Sequence, residues 1–470
     1  MSTTPSPVVA VGDKLNYVDE NGIKICVIVS SIKQKSKAKH NSYYNYKLRI
    51  EGSDETIKTR LLNLDWEKVE NKKKKAKYND QITLPPHKYI LAPMVGGSEL
   101  AFRLLCRKYG TQLAYTPMIN SERFAIDEEY RSQEFQTTNE DRPLVAHFSA
   151  NDPDTLVKAA RFIEDKCDAI DLNLGCPQRI AFTGHFGSYL LGDEDRSLIL
   201  SIVKTLNDSI SIPVFVKIRL LDSVPDTIKL CTQLADAGAA LIAIHARYRV
   251  NLVGRTGPGA RDGPAHLDQV VTIREALKDY ICKKTNQRVA IIANGNVITY
   301  SDVENNLQFT GADGIMSAEG ILDNPALFAN RDVKKIDLAL EYLQYVAKYP
   351  VKMKSIIFHI RRILKAELDT YQLMDELVVC ENFDKVSEIV NCILKYQTSN
   401  NYIHDEKKAE KMKKAAEKRK LEAGKRKAFE ERMIRKAKRE GKSLDHYLQV
   451  FYKNTLYIYT YIYNLLIVGQ

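Results

Sequence analysis

A (β/α)8 TIM barrel of the α/β class, followed by a helical domain, is the fold the sequence predicts for most of this chain. Three observations carry it. Between Lys88 and Phe328 a short apolar or β-branched run recurs eight times, each followed by a polar loop and a helical stretch, the pattern of a parallel sheet buried on both faces. The units fill about 240 residues, the length such a barrel needs. No Gly-x-Gly-x-x-Gly turn follows the first run, as a doubly wound nucleotide-binding sheet would ordinarily carry.

In chain order the predicted strands are Tyr89 to Ala92, Leu113 to Thr116, Leu144 to Phe148, Ala169 to Leu172, Val214 to Ile218, Leu241 to His245, Ala290 to Ala293 and Gly314 to Ser317. They define a barrel over residues 86–330. Residues 331–400 read as helices, with Leu338, Leu340, Tyr342, Leu343, Tyr345 and Val346 as one apolar set and Ile356, Ile357, Ile360, Ile363 and Leu364 as another. His359, Arg361, Arg362 and Lys365 are expected to share one basic helix face.

The flanks differ in composition. Residues 8–70 alternate over short runs, with Lys14 to Val18, the turn Asp19-Glu20-Asn21-Gly22 and Ile23 to Val29 as a hairpin, and a further strand from Tyr44 to Gly52. The run from Tyr46 through Trp66 resembles a chromo-barrel or Tudor-type β-barrel, which can hold a methylated lysine by cation–π attraction or serve as a nucleic-acid adaptor. Tyr17, Tyr43, Tyr44, Tyr46 and Trp66 are its candidate cage residues, although Ser53 stands where that family has Gly-Trp. Residues 71–85 are a basic linker. Residues 401–446 form a Lys- and Arg-rich arm, helical or unstructured, suited to phosphate contact or nuclear localisation. Residues 447–470 form an apolar tail whose cleanest run falls short of the ~20 residues a spanning helix needs, so no membrane anchor is expected.

With 470 residues, 44% of them hydrophobic, the chain can bury one large core and carry further modules. Its net charge of +11 favours an acidic partner such as nucleic acid. The cysteines form no Cys-x-x-Cys pair, so neither a zinc site nor a disulfide framework is expected and a reducing compartment fits. The first residues, Met1 to Pro7, lack the features of a secretory or transit signal. A cytoplasmic or nuclear monomer without metal is the expectation.

The chemistry is expected beyond the fourth strand. Asn173, Gly175 and Pro177 are turn formers that take the chain sharply off the sheet and present Cys176 at the strand's C-terminal end, where parallel α/β folds bind ligands. A free thiol with a pKa near ~8.5 stays mostly protonated at neutral pH and can donate a proton. A single cysteine at a strand end is also a common packing residue. The sequence pattern leaves both roles open.

The run Asn173-Leu174-Gly175-Cys176-Pro177 resembles the signature of the dihydrouridine synthases, flavoenzymes that reduce uridine in transfer RNA. Similar pieces recur along the chain in the family's order: Leu91 to Val95, Tyr115 to Met118, Val216 to Arg219, Ala293 to Asn296 and Met316 to Gly320. The last of these, with Asp323 to Phe328, is most similar to the branch acting on positions 16 and 17 of the D-loop. The resemblance covers roughly residues 86 to 398.

It implies a noncovalent FMN re-reduced by NADPH, tRNA as substrate, and Cys176 as general acid. It implies flavin contacts by Pro93, Met94, Val95, Lys217 and His245, and phosphate contacts by Asn294, Gly295 and Asn296 with Ala318 and Glu319. Asn173 and Arg219 are similar to residues that contact the flavin and the target uracil. Two positions depart from the family. His147 stands where a glutamine commonly bonds the flavin ring, and His245-Ala246-Arg247 replaces His-Gly-Arg ahead of a long basic loop, Tyr248 to Ala265. His147 is carried over as a flavin contact. The alternatives are a flavin barrel acting on a free pyrimidine, which has no use for the helical domain and basic arm, and a noncatalytic RNA or chromatin adaptor.

Overall fold

The computed structural model describes residues 84–249, 263–282 and 286–399, the strand backbones within 14–68, residues 401–407, and single helical positions from 410 to 439. Two compact units divide the chain, Met1–Gln81 and Ile82–Gln470.

The first unit holds one antiparallel sheet of five strands: Lys14–Val18, Lys24–Lys37, Asn41–Ile50, Thr56–Arg60 and Leu64–Lys68. The first two pair as a hairpin with Val18 opposite Lys24. The second strand runs eight residues past its predicted end at Val29, because Ser31 to Lys37 pair with Asn41 to Lys47 although they lack apolar alternation. The predicted cage side chains, the linker 71–83, loop residues 250–262 and the tail 447–470 lie outside the described residues, as does most of the arm. The described arm positions from 410 to 439 are helical and exposed.

The second unit contains the barrel. Its strands are β1 (Tyr89–Leu91), β2 (Leu113–Tyr115), β3 (Leu144–Ser149), β4 (Ala169–Leu174), β5 (Val214–Leu220), β6 (Ala239–Tyr248), β7 (Ala290–Asn294) and β8 (Gly314–Ser317). Each pairs in parallel with its sequence neighbours, and β8 pairs with β1, so the ring closes. A closed eight-stranded parallel barrel is thus what the eight runs build. A two-residue strand, Ile119–Asn120, adds to β3, and a small hairpin joins Ile281–Cys282 to Gln287–Arg288.

Strand alternation decides what fills the barrel. Ile90, Leu113, Tyr115, Val145, Ala169, Phe215, Ala243, Ile292 and Met316 form a buried cluster inside it. Side chains two residues apart share a face. Stepping toward the C-terminal ends therefore places His147, Asp171, Asn173, Lys217, Arg219, His245 and Asn294 over that apolar floor. The opposite faces of the strands join the surrounding helices in a second, larger core. The helices start and stop on local signals. Ser223 caps Val224–Ala237 by accepting from the Asp226 N–H, and Thr299 with Asp302 forms a capping box on Tyr300–Thr310.

The helices Lys335–Lys348, Met353–Ile363 and Phe383–Ser399 share that larger core. Their predicted apolar sets are buried or partly buried. The expected basic face divides. His359 is fully buried against Glu99, and Arg362 reaches Glu319 and Asp323, while Arg361 and Lys365 are exposed. Helical spacing puts residues 359 and 362, three apart, on the face turned to the barrel and Arg361 on the outer one, while Lys365 falls off this helix altogether and opens the next, Lys365–Thr370.

Candidate active site at the barrel mouth

A cavity of about 720 Å³ opens at the C-terminal ends of the strands. Of the residues singled out in the sequence, Pro93, Cys176, Lys217, Arg219, His245, Asn294, Gly295, Asn296, Ala318 and Glu319 line it. Met94, Val95, His147 and Asn173 are not on its wall.

The structure accounts for those four. The Met94 N–H donates to Ser98 Oγ (3.0 Å) and its carbonyl accepts from the N–H groups of Gly97 and Ser98, so its backbone closes a tight turn. Val95 points outward, 72% exposed. His147 and Asn173 lie beneath the wall, buried, and their polar atoms are engaged with one another and with Asp171.

The loop bearing Cys176 is held on three sides. Asn173 Oδ1 accepts from the N–H groups of Gly175 (2.8 Å) and Cys176 (2.9 Å). Arg219 Nε donates to the Gly175 carbonyl (2.9 Å) and its Nη1 to the Tyr248 carbonyl (2.9 Å), tying the loop to the end of β6. Ser188 donates to the Cys176 carbonyl from both its N–H and its hydroxyl, each at 3.0 Å. Gly187 makes that approach possible: its φ is +67°, and a Cβ there would lie 2.8 Å from the Cys176 carbonyl oxygen. Cys176 is partly exposed, unlike the buried Cys106, Cys167, Cys231, Cys282 and Cys380.

The charges around the cavity do not cancel. Lys217 Nζ donates to Asn294 Oδ1 (3.1 Å) and makes no ion pair among the described residues. Burial, then the charge of Arg219, push its pKa down to about 8, against the opposing pull of Asp171 and Cys176. His245 is pushed well below its ordinary range by burial and by Lys217, Arg219 and Arg247, which keeps the imidazole neutral. Arg247 Nη1 donates to His245 Nε2 (3.1 Å), so the ring proton belongs on Nδ1. Burial raises the pKa of Asp171, and the hydrogen bond from His147 and then the charge of Lys217 oppose this without cancelling it.

The loops after β7 and β8 form the other wall. Gly295 adopts φ +138°, and a Cβ there would meet the Ala265 Cβ at 2.6 Å. Asn296 Oδ1 accepts from Arg247 Nη2 (3.1 Å) and the Ala265 N–H (3.0 Å), which fixes that turn. Arg362 Nη1 donates to Glu319 Oε2 (2.9 Å), its Nη2 donates to the Glu319 carbonyl (3.0 Å), and its Nε pairs with Asp323 (2.6 Å). A helix outside the barrel thus braces a cavity loop. Sequence reasoning gave Arg247 and Arg362 no place in the site. Arg247, two residues beyond His245 on one strand face, was open to the parity argument, whereas Arg362 carries no such signal.

Among the described residues no group of three or more His, Cys, Asp or Glu side chains is placed to hold a metal, and no helix is long and apolar enough to cross a membrane.

Comparison with known proteins fits this geometry. The chain is 37% identical over 310 residues to a mouse (Mus musculus) protein named tRNA-dihydrouridine(16/17) synthase NAD(P)(+)-like, covering 65% of this chain and 62% of that one. It is 41% identical over 242 residues to the tRNA-dihydrouridine(16/17) synthase of Saccharomyces cerevisiae, covering 51% and 53%. It is 36% identical over 262 residues to a human (Homo sapiens) tRNA-dihydrouridine(20a/20b) synthase-like protein, covering 54% and 76%. The chain spans less than two thirds of the lengths of the mouse and yeast proteins. The family model described as dihydrouridine synthase (Dus) matches residues 90–438, which takes in the whole closed barrel, the Cys176 loop and the helical region, and on that match the chain belongs to the dihydrouridine synthase family.

Proposed function

We propose that this chain is a tRNA dihydrouridine synthase, an FMN-dependent, NADPH-driven oxidoreductase that reduces the C5–C6 double bond of D-loop uridines 16 and 17, with Cys176 as the proton donor. The observation that carries the reading is that Cys176, on the loop just beyond β4, and Lys217, on the adjacent strand β5, line one cavity. The thiol offers a proton there, and the ammonium has no carboxylate partner.

The residues fit a flavin mononucleotide. The cavity has the size of a cofactor site. Lys217 can meet an anionic ring edge, neutral His245 can donate from Nδ1, and the Gly295 turn brings bare backbone to the rim where a phosphate would approach. Bound FMN, restored by NADPH, would supply the hydride that no side chain can give. Cys176 would deliver its proton to C5 of the uracil as general acid. Arg219 and Asn173 keep the loop that carries the thiol in place. A uridine inside folded tRNA must leave its stack to reach this depth. Exposed Arg361 and Lys365, with the basic arm, would hold the phosphate backbone meanwhile.

The names of the mouse and yeast relatives support positions 16 and 17 over 20a and 20b. The amino-terminal sheet would act as a chromo-barrel-like module for a protein or nucleic-acid ligand, in a cytoplasmic or nuclear monomer. The test is to incubate the purified protein with NADPH and unmodified tRNA transcript and map dihydrouridine by mass spectrometry. Yellow protein that modifies positions 16 and 17 is expected. Colourless protein yielding no dihydrouridine overturns the proposal, and product at 20a or 20b alone overturns the choice of site.

A further inference from the structure

Three polar side chains under the cavity form one directed chain of hydrogen bonds ending on Cys176. Asn173 Oδ1 accepts from the backbone N–H groups of Gly175 and Cys176. This fixes the amide, because turning it would set its NH2 group against two N–H donors. Asn173 Nδ2 lies 3.0 Å from His147 Nε2, and also 3.0 Å from the Met118 sulfur. The amide nitrogen can only donate, so Nε2 accepts and the ring proton sits on Nδ1. Nδ1 lies 2.5 Å from Asp171 Oδ2 and donates to it. Each link thus dictates the next.

The fold places all three by strand parity. Asp171 and Asn173 are two residues apart on β4, and register sets His147 of β3 opposite Asp171. The residues are 0%, 2% and 6% exposed for Asp171, His147 and Asn173. The other carboxylate oxygen, Asp171 Oδ1, is buried without a hydrogen-bond partner. Tyr115 of β2 stands edge-on to the His147 ring at 6.1 Å, and Lys217 of β5 acts on Asp171 through its charge. An apolar core would be cheaper than a buried carboxylate with one oxygen unsatisfied. Its retention points to a task for the hydrogen bond it does make.

We propose that Asp171, His147 and Asn173 are positioning residues: Asp171 selects the Nδ1–H tautomer of His147, His147 orients the Asn173 amide, and Asn173 anchors the backbone of Cys176 so that its thiol faces the cavity. The assignment rests on the proposed function for its catalytic meaning, but the positioning itself is a property of the folded chain. His147 then serves the cysteine loop and makes no contact with a bound ring.

The discriminating variant is Asp171→Asn, which keeps the shape but can donate to Nδ1. The ring then takes the Nε2–H tautomer and faces the Asn173 NH2 group donor to donor, the same logic by which an amide in place of a triad aspartate fixes the wrong tautomer. In the flavin-loaded protein, kcat for dihydrouridine formation should fall at least about ten-fold while KM for tRNA and flavin content stay within about two-fold. Alkylation of Cys176 by iodoacetamide, followed by peptide mass spectrometry, should change several-fold in rate, and the 15N signature of His147 should switch tautomer. His147→Gln, whose amide can donate to Asp171 and accept from Asn173, should keep most of the native alkylation rate, and His147→Phe should not. Native alkylation rates in both Asp171→Asn and His147→Phe overturn the proposal, as does an Nε2–H signature in the unaltered protein. Should the unaltered protein make no dihydrouridine, the proposed function fails, and the alkylation and 15N readouts still decide the positioning.

Discussion

Two buried clusters of charge in the second unit are built on opposite terms. Behind β3, Asp141 accepts from Arg103 Nε (2.9 Å) and Nη2 (2.7 Å), Arg107 Nε (2.9 Å) and Thr137 Oγ1 (3.2 Å). The remaining guanidinium donors reach the carbonyls of Ser98, Gln136, Gln112 and Pro143. At the mouth, Lys217 has one amide oxygen and no carboxylate, and Asp171 has an oxygen with no partner. The first cluster is closed on itself and holds the chain together. The second keeps valences in reserve, as a site that must accept a charged guest does. Burial alone therefore does not separate the two clusters; the unmet partners at the mouth do.

The sharpest test of this contrast is Cys176→Ala. Flavin and tRNA binding should persist while product formation falls by about 10²- to 10⁴-fold, the span of a lost general acid, and unchanged turnover would remove the thiol from the reaction. In the closed cluster the loss should be structural instead. Asp141→Ala leaves two buried guanidinium groups unpaired and should cost about 3–5 kcal/mol in denaturant unfolding. A change under about 1 kcal/mol would show the cluster to be less closed than its geometry implies.

Lys217→Met probes the open cluster from the stability side. Removing a half-buried cation without a carboxylate partner should leave stability equal or higher while flavin retention drops. A clear loss of stability with normal flavin content would move Lys217 into the structural class. Its ionisation gives a pH signature. The folded value of about 8 lies below the 10.5 of the free side chain, so the unfolded chain binds more protons between those limits. The cost of burying the ammonium is felt fully below pH 8 and relieved as pH rises toward 10.5. Flavin affinity should run the other way, weakening above about pH 8 in the unaltered protein and staying flat in Lys217→Met. The smallest expected effect is electrostatic: deleting residues 401–470 should flatten the salt dependence of tRNA binding, and an unaltered slope would leave the arm without a role in it.

Much of this was legible before any coordinates. The eight strands are readable because a doubly buried parallel strand is a continuous apolar run, whereas the site residues come from the family resemblance. Lys217, Arg219, His245 and Asn294 reach the cavity because they share the inward strand faces with the apolar floor. The resemblance gives His147 as a flavin contact but cannot tell an upward-facing contact from a lateral one, which the neighbour Asp171 decides. Met94 and Val95 were assigned from a motif, and only the tight turn closed by Ser98 shows why they leave the wall. His359 and Arg362 looked solvated because their partners Glu99 and Glu319 lie far away in the chain.

Those two contacts carry a consequence for the architecture. Glu99 follows β1, and Glu319 and Asp323 follow β8, the strands whose pairing closes the ring. Glu99 is held below its ordinary carboxyl range: burial pushes it up, but His359 and Tyr342 outweigh that effect. The helical region therefore works as a clasp across the seam where the barrel's beginning meets its end. A graft that exchanged this region for another would have to supply counterparts of Tyr342, His359 and Arg362, or the seam would be left with acidic side chains and nothing to fasten them.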